Sequence, residues 1–177
     1  MGILLLLIIA CYSSLSFSLE KLPQNDVVEV FVIGKPMKKA SWKENPDIRV
    51  CATSEISLYR VRSATRFWEK LGYNFGDIYT DFSPLCMNPR YGEITITLPA
   101  GDMGANNMAA TKLYTEKSTG YIAKAMISIY PKYERKERVL EHEIGHALGW
   151  SHYNKKFHIM NSSWQDGGYD HTGLRKR

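Results

Sequence analysis

The chain has 177 residues, 44% of them hydrophobic and 23% charged, with a formal net charge of +5. That is enough apolar side chain for a single domain with a buried core, and no internal repeat, low-complexity run or linker to a second domain divides it. The positive balance favours acidic substrates or surfaces through an attraction that salt screens, while no part of the pattern resembles a nucleic-acid-binding module, so no nucleic acid is expected as a partner.

Residues 1–18 carry no charged side chain, and Ile3 to Ala10 is an unbroken apolar run. The run is too short to span a bilayer as a mature helix and fits the apolar region of a secretory signal, with Ser16 and Ser18 as small residues ahead of cleavage at Leu19. The product would be secreted, extracellular or periplasmic. Two other readings stand. Ile8-Ile9-Ala10-Cys11 resembles a bacterial lipobox, which would leave Cys11 lipidated and the protein held at a membrane; the segment could also stay as an uncleaved anchor. Signal removal leaves two cysteines, Cys51 and Cys86. An even pair in an exported chain suggests a disulfide, with two buried free thiols as the alternative.

Residues 19–47 form a lead-in, with a strand suggested by Val28, Val30 and Val32 and ending at Gly34. The main domain is expected over residues 48–177. Ile48–Thr53 is its first strand. Residues 57–71 form an amphipathic helix: Leu58, Val61, Ala64, Phe67 or Trp68, and Leu71 share one face, and Gly72 stops it. Arg60, Arg62, Arg66, Glu69 and Lys70 are assigned to its solvated face. Strands follow at about Phe75–Asp81 and Glu93–Leu98. The loop Gly101–Asn107 fits neither a phosphate cradle nor, with one aspartate, a calcium site. Ala109–Thr115 and Tyr121–Tyr130 are two strands around a turn at Glu116–Gly120, and a charged connector leads to a second helix near Arg138 or Val139.

That helix carries the chemistry. Residues 142–152 spell H-E-x-x-H-x-x-G-x-x-H. Four-residue spacing puts His142 and His146 on one helical face, where both can reach a zinc ion at about 2.0–2.1 Å. His152 lies six residues further, roughly 9 Å along a continued helix axis at about 1.5 Å per residue. The helix must therefore stop and the chain fold back, and Gly149 stands where the break is needed. Three histidines leave a fourth position open for water, the pattern of a catalytic zinc site. Glu143 follows the first ligand and can act on that water without being a ligand. Leu140, Ile144, Ala147 and Leu148 form the apolar stripe that faces the core.

These residues resemble the metzincin zinc metallopeptidases, whose signature is this motif followed by a Met-turn. The resemblance assigns His142, His146 and His152 as ligands of one catalytic zinc, Glu143 as general base and Gly149 as the turn glycine. Met160 is its candidate for the Met-turn, with ordinary core filling as the alternative. Met160 stands eight residues after His152, and Ser162 occupies the position where some branches have a tyrosine. The order of elements over about residues 48–164 is similar to the upper part of a metzincin catalytic domain. The implied fold is α+β: a twisted mixed sheet of about five strands, a backing helix, the zinc helix and a reduced C-terminal lobe. Ala109–Tyr114 would be the antiparallel edge strand that pairs with extended substrate.

The resemblance thus implies a monomeric, matrixin-like endopeptidase that cuts protein or peptide substrates through a zinc-activated water. A peptidase for peptidoglycan cross-links would use the same site, and a non-catalytic secreted zinc module is the non-enzyme alternative. Trp164 is expected to help wall the pocket for the side chain after the cut bond. Tyr153, Tyr169 and His171 are candidates for stabilising the oxyanion. Asn161-Ser162-Ser163 is formally a glycosylation sequon, expected to be unused beside the Met-turn.

Overall fold

Alternating β-branched residues build the centre of the protein. A computed structural model of the chain describes residues 34–104 and 107–176, which belong to one unit. The secretory segment, Cys11 and the strand at Val28–Val32 lie outside the described residues. The elements in order are β1 (Asp47–Cys51), α1 (Leu58–Glu69), β2 (Ile78–Asp81), β3 (Glu93–Thr97), β4 (Ala109–Thr115), β5 (Ile122–Ile129) and α2 (Val139–Ala147). The fold is α+β, with a five-stranded mixed sheet in the order β2-β1-β3-β5-β4. β2, β1, β3 and β5 are parallel neighbours, and β4 is the antiparallel edge.

Parallel strands need crossovers, and α1 supplies the one between β1 and β2. Ser57 caps it: its hydroxyl accepts the backbone N–H of Arg60 at 3.2 Å, one of the first-turn donors a helix leaves unpaired. Val61, Ala64 and Trp68 are buried as the helical spacing requires. They pack with Ile48, Val50, Ile94, Ile96, Ile127, Leu140 and Ile144 in one core.

Alternation along β1 sends Arg49 and Cys51 to the other face of the sheet. Arg49 is fully buried there. It forms ion pairs with Asp81 at 3.1 Å and Glu93 at 2.8 Å, and donates to the carbonyl of Asn88 at 2.6 Å. The same loop is tied down by a disulfide between Cys51 and Cys86. The loop therefore covers a sheet face that would otherwise expose its backbone and a buried charge.

Arg60 departs from the solvated face assigned to it. Its guanidinium donates to both carboxylate oxygens of Glu141, at 2.9 and 2.6 Å, and to the carbonyl of Glu134 at 3.0 Å. The helical wheel placed its Cα outside; the length of the side chain lets it turn back and brace α1 against α2.

The segment before β1 packs against the end of α2. The N–H of Lys39 bonds to the carbonyl of Gly149 at 2.8 Å, and that of Ser151 to Met37 at 2.9 Å. The indole of Trp42 donates to the carbonyl of Ala147 at 2.8 Å, satisfying one of the acceptors that a helix end leaves free. At the other terminus Leu174 is buried, with its carbonyl held by the hydroxyl of Tyr73 at 3.1 Å. Among the described residues no helix is long and apolar enough to cross a membrane.

Candidate metal centre

α2 presents two faces. Leu140, Ile144 and Ala147 are buried in the core, while His142 and His146 stand one turn apart on the side toward solvent. The helix ends at Ala147, and Gly149 takes a φ of +99°. That conformation is cheap only for glycine. A Cβ there would also run into the carbonyl of Ala40, so the site admits no side chain for a second, independent reason. The turn returns His152 toward the helix.

The three rings converge on their Nε2 atoms. His146 Nε2 lies 3.0 Å from His142 Nε2 and 3.0 Å from His152 Nε2. His142 and His146 do not hydrogen-bond to each other through these atoms, as their opposite nitrogens show. His142 Nδ1 is 2.7 Å from the carbonyl of Ile159, and His146 Nδ1 is 2.7 Å from the carbonyl of Trp150. A carbonyl only accepts, so each Nδ1 carries the proton and each Nε2 of these neutral rings is a bare lone pair. Burial pushes the His142 pKa down to about 3 and that of His146 down to about 4, which keeps both rings neutral. Lone pairs facing each other at this distance call for a cation, and the three residues could hold a metal ion. The separations suit nitrogen ligands at about 2.0–2.1 Å from a common centre, and backbone carbonyls orient the far side of two of the three rings, as partners of metal-binding histidines commonly do.

The support beneath the helix is tight. Met160 is fully buried, and its sulfur and the Trp68 ring occupy the space where a Cβ on Gly145 would be. The Met160 turn is held by its own backbone: its carbonyl accepts the N–H of Tyr153 at 2.8 Å, and its N–H donates to His158 Nδ1 at 3.1 Å. This turn also delivers the carbonyl of Ile159 to His142.

Glu143 points into a cleft of about 570 Å³ between β4, the start of α2 and residues 161–167. Burial pushes its carboxyl up to about 7, opposed by a hydrogen bond from Thr111. Thr111 escaped the sequence reading. A signal for it exists: in the alternation Ala109, Thr111, Leu113 it is the polar residue on the face turned inward. Lys39 and Arg138 also line the cleft and were assigned no role. Lys39 arrives through pairing with residues far along the chain, which no local pattern announces.

Trp164 lines the cleft as expected. The oxyanion candidates do not. Tyr153 packs edge-on against His158 at 4.9 Å, and Tyr169 and His171 pack around Phe67 at 6.1 and 6.0 Å. Aromatic packing claims all three. Asn161 is buried, its amide donating to the carbonyl of Lys155 at 3.0 Å and accepting the N–H of Ser163 at 2.9 Å, an environment without room for a glycan. Compared with known family models and with curated proteins, the chain matches none.

Proposed function

We propose that the protein is an exported zinc endopeptidase of the metzincin type, matrixin-like in its catalytic chemistry. The observation that carries this reading is the convergence of three histidine Nε2 atoms, those of His142 and His146 unprotonated, beside a buried carboxylate in an open cleft. His142, His146 and His152 would hold the ion. When bound, zinc supplies Lewis acidity toward the scissile carbonyl and makes water acidic enough to be deprotonated near neutral pH.

The chain's own residues do the rest. Glu143 takes the proton from the attacking water and passes it to the leaving amine. Thr111 holds that carboxylate in place. The free edge of β4 offers backbone N–H and C=O groups to an extended peptide, which fixes the scissile bond over the histidines. The antiparallel edge strand over the cleft and the buried methionine beneath the helix both support the metzincin reading. The Cys51–Cys86 disulfide supports export, since such bonds persist in oxidising compartments.

The test is cleavage of an unbiased peptide library by the protein, with Glu143→Ala and a chelator followed by zinc as controls. Internal cuts that vanish in both controls and return with zinc establish the activity. A folded, zinc-loaded protein that cuts nothing in the library overturns it in favour of a cell-wall cross-link peptidase or a zinc module without activity. Chelation separates these two: unfolding on metal loss marks the module, whereas a catalytic domain with this metal-independent core stays folded.

A further inference from the structure

Arg138 sits at the start of α2 and lines the cleft. Its guanidinium is held in place. One Nη donates to the carbonyl of Trp164 at 3.2 Å, the guanidinium carbon lies 4.9 Å from the Trp164 ring centre, and the other Nη lies over Gly167, where a Cβ would stand 3.0 Å from it. Trp164 is itself fixed, its indole donating to the carbonyl of Glu137 at 3.0 Å. A cation on a tryptophan is often packed there for that contact alone. Among the described residues its charge is unpaired, as are those of Arg62 and Arg66 on α1, but it lines the cleft. Arg49, Arg60, Arg90 and Lys155 all have carboxylate partners. Among the described residues Arg138 has none, and the carboxylate one turn on, Glu141, is engaged by Arg60. A guanidinium carries five N–H donors; apart from the one on Trp164, those of Arg138 have no protein acceptor among the described residues.

The topology says which part of a substrate meets it. β5 begins beside Ser41, where the N–H of Ile122 bonds to its carbonyl at 2.8 Å, and Trp42 holds the last turn of α2. β5 ends at Ile129, from which a short connection leads to Arg138. Because Ala109 pairs with Ile129 and Thr115 with Ile122, β4 and α2 run in the same sense. A peptide laid antiparallel to β4, the more stable pairing, therefore enters near Ala147 and leaves near Arg138. Its residues after the cut bond reach Arg138 and Trp164.

We infer that Arg138 selects an acidic side chain, glutamate or aspartate, on the C-terminal side of the bond cut at the three-histidine centre. The inference rests on the peptidase reading above. A carboxylate is the planar acceptor that a guanidinium's paired donors match, and the uncharged amide isostere offers one acceptor oxygen and no charge to the same donors.

The experiment uses peptides identical except for Glu, Gln or Lys at the first two positions after the bond that the zinc-loaded protein cuts. kcat/KM is measured for the unaltered protein, Arg138→Gln, Arg138→Lys and Arg138→Glu. Binding of the same peptides to Glu143→Gln is followed by fluorescence anisotropy. The unaltered protein is expected to prefer Glu over Gln about tenfold or more. Arg138→Gln should bring the two within about twofold, Arg138→Lys should restore part of the preference, and Arg138→Glu should turn it toward Lys. Cutting without charge preference, or a preference that survives in Arg138→Gln, overturns the role of Arg138 and leaves the peptidase standing. If the unaltered protein cuts none of the peptides, charge-selective binding that is lost when Arg138→Gln is added to Glu143→Gln upholds Arg138 as the acidic-residue contact and sinks the peptidase. If Arg138→Gln fails to fold, the comparison of Arg138→Lys with Arg138→Glu decides the same question.

Discussion

Thr111 Oγ1 stands 2.6 Å from Glu143 Oε2 and 3.1 Å from the carbonyl oxygen of the same residue. The hydroxyl has one proton, and the carboxylate is the stronger acceptor. The edge strand thus positions the group that faces the histidines. Thr111→Val keeps the shape and removes the donor. A hydrogen bond to a charged group contributes about 1.5–3 kcal/mol, so kcat is expected to fall by roughly 10- to 100-fold with KM little changed. Zinc affinity should stay the same, and Thr111→Ser should recover most of the rate. An unaltered kcat would reduce Thr111 to packing.

Gly149→Ala tests the break after α2. A left-handed backbone costs an alanine about 1–2 kcal/mol, and the collision with the Ala40 carbonyl adds about 1–3 kcal/mol of forced displacement. Urea denaturation with chelator present should show a total loss of about 2–5 kcal/mol. Because the same turn aims His152, competition with a zinc dye should show weakened metal binding too. Full stability in the variant would mean that the 37–40 segment yields freely.

The Cys51–Cys86 bond joins residues 35 apart on the sheet face away from α2. Replacing both cysteines by alanine is expected to cost about 2–4 kcal/mol of stability, chiefly by freeing the unfolded chain. Zinc binding and kcat should be retained. A loss of zinc affinity larger than the loss of stability would contradict the separation of the two faces.

Acid should loosen the turn that carries Met160. His158 is buried, accepting from the N–H of Met160 and lying 3.2 Å from the carbonyl of Thr172. Burial holds its pKa below the usual 6.5, so its contribution is present above pH 6.5 and is lost as pH falls. His142 and His146 act in the same sense when no metal is bound. Asp170, paired with Lys155 at 2.8 Å, is held well below its ordinary 3.8 by that bond first and by Thr172 second. Its contribution is present above pH 3.8 and is lost below it. Thermal midpoints in chelator should therefore show a first drop that starts near pH 6.5 and continues toward pH 3–4, opposed between about pH 7 and 4.5 by the protonation of Glu143, with Asp170 adding to it below pH 3.8. His158→Gln should lower the midpoint at pH 7.5 and flatten the first drop; an unchanged slope would remove His158 from the account.

Local pattern carried much of this in advance. The 142–152 spacing foretold which histidines would converge, because helical geometry and one forced turn leave few alternatives. β4 matched the expected Ala109–Thr115 residue for residue, since strict alternation records which face is covered. What stayed hidden depends on distant partners. Residues 37–42 pair through main-chain groups that every residue carries, so their side chains hold no sign of it. Arg60 and Arg138 have the same composition and neighbouring charges as any solvated arginine. One is braced by Glu141 and the other faces a cleft only because the chain brings remote segments alongside them. Tyr153, Tyr169 and His171, which do not line the cleft, show the converse: a polar tip near a motif says nothing about where the ring will pack.

The bond from the Trp42 indole to the Ala147 carbonyl spans 105 positions of the chain, and the pairing of Lys38 with Trp150 spans a similar distance. Contacts of such sequence separation form late, because loop closure must precede any reward. During synthesis, which proceeds from the N-terminus, Lys38, Lys39 and Trp42 must wait for residues 147–150 before these bonds can form. The histidine that closes the triad, His152, follows closely on those residues. Assembly of the three-histidine cluster thus waits for the turn at Gly149, and a product stalled before His152 presents two imidazoles on a helix but no assembled centre.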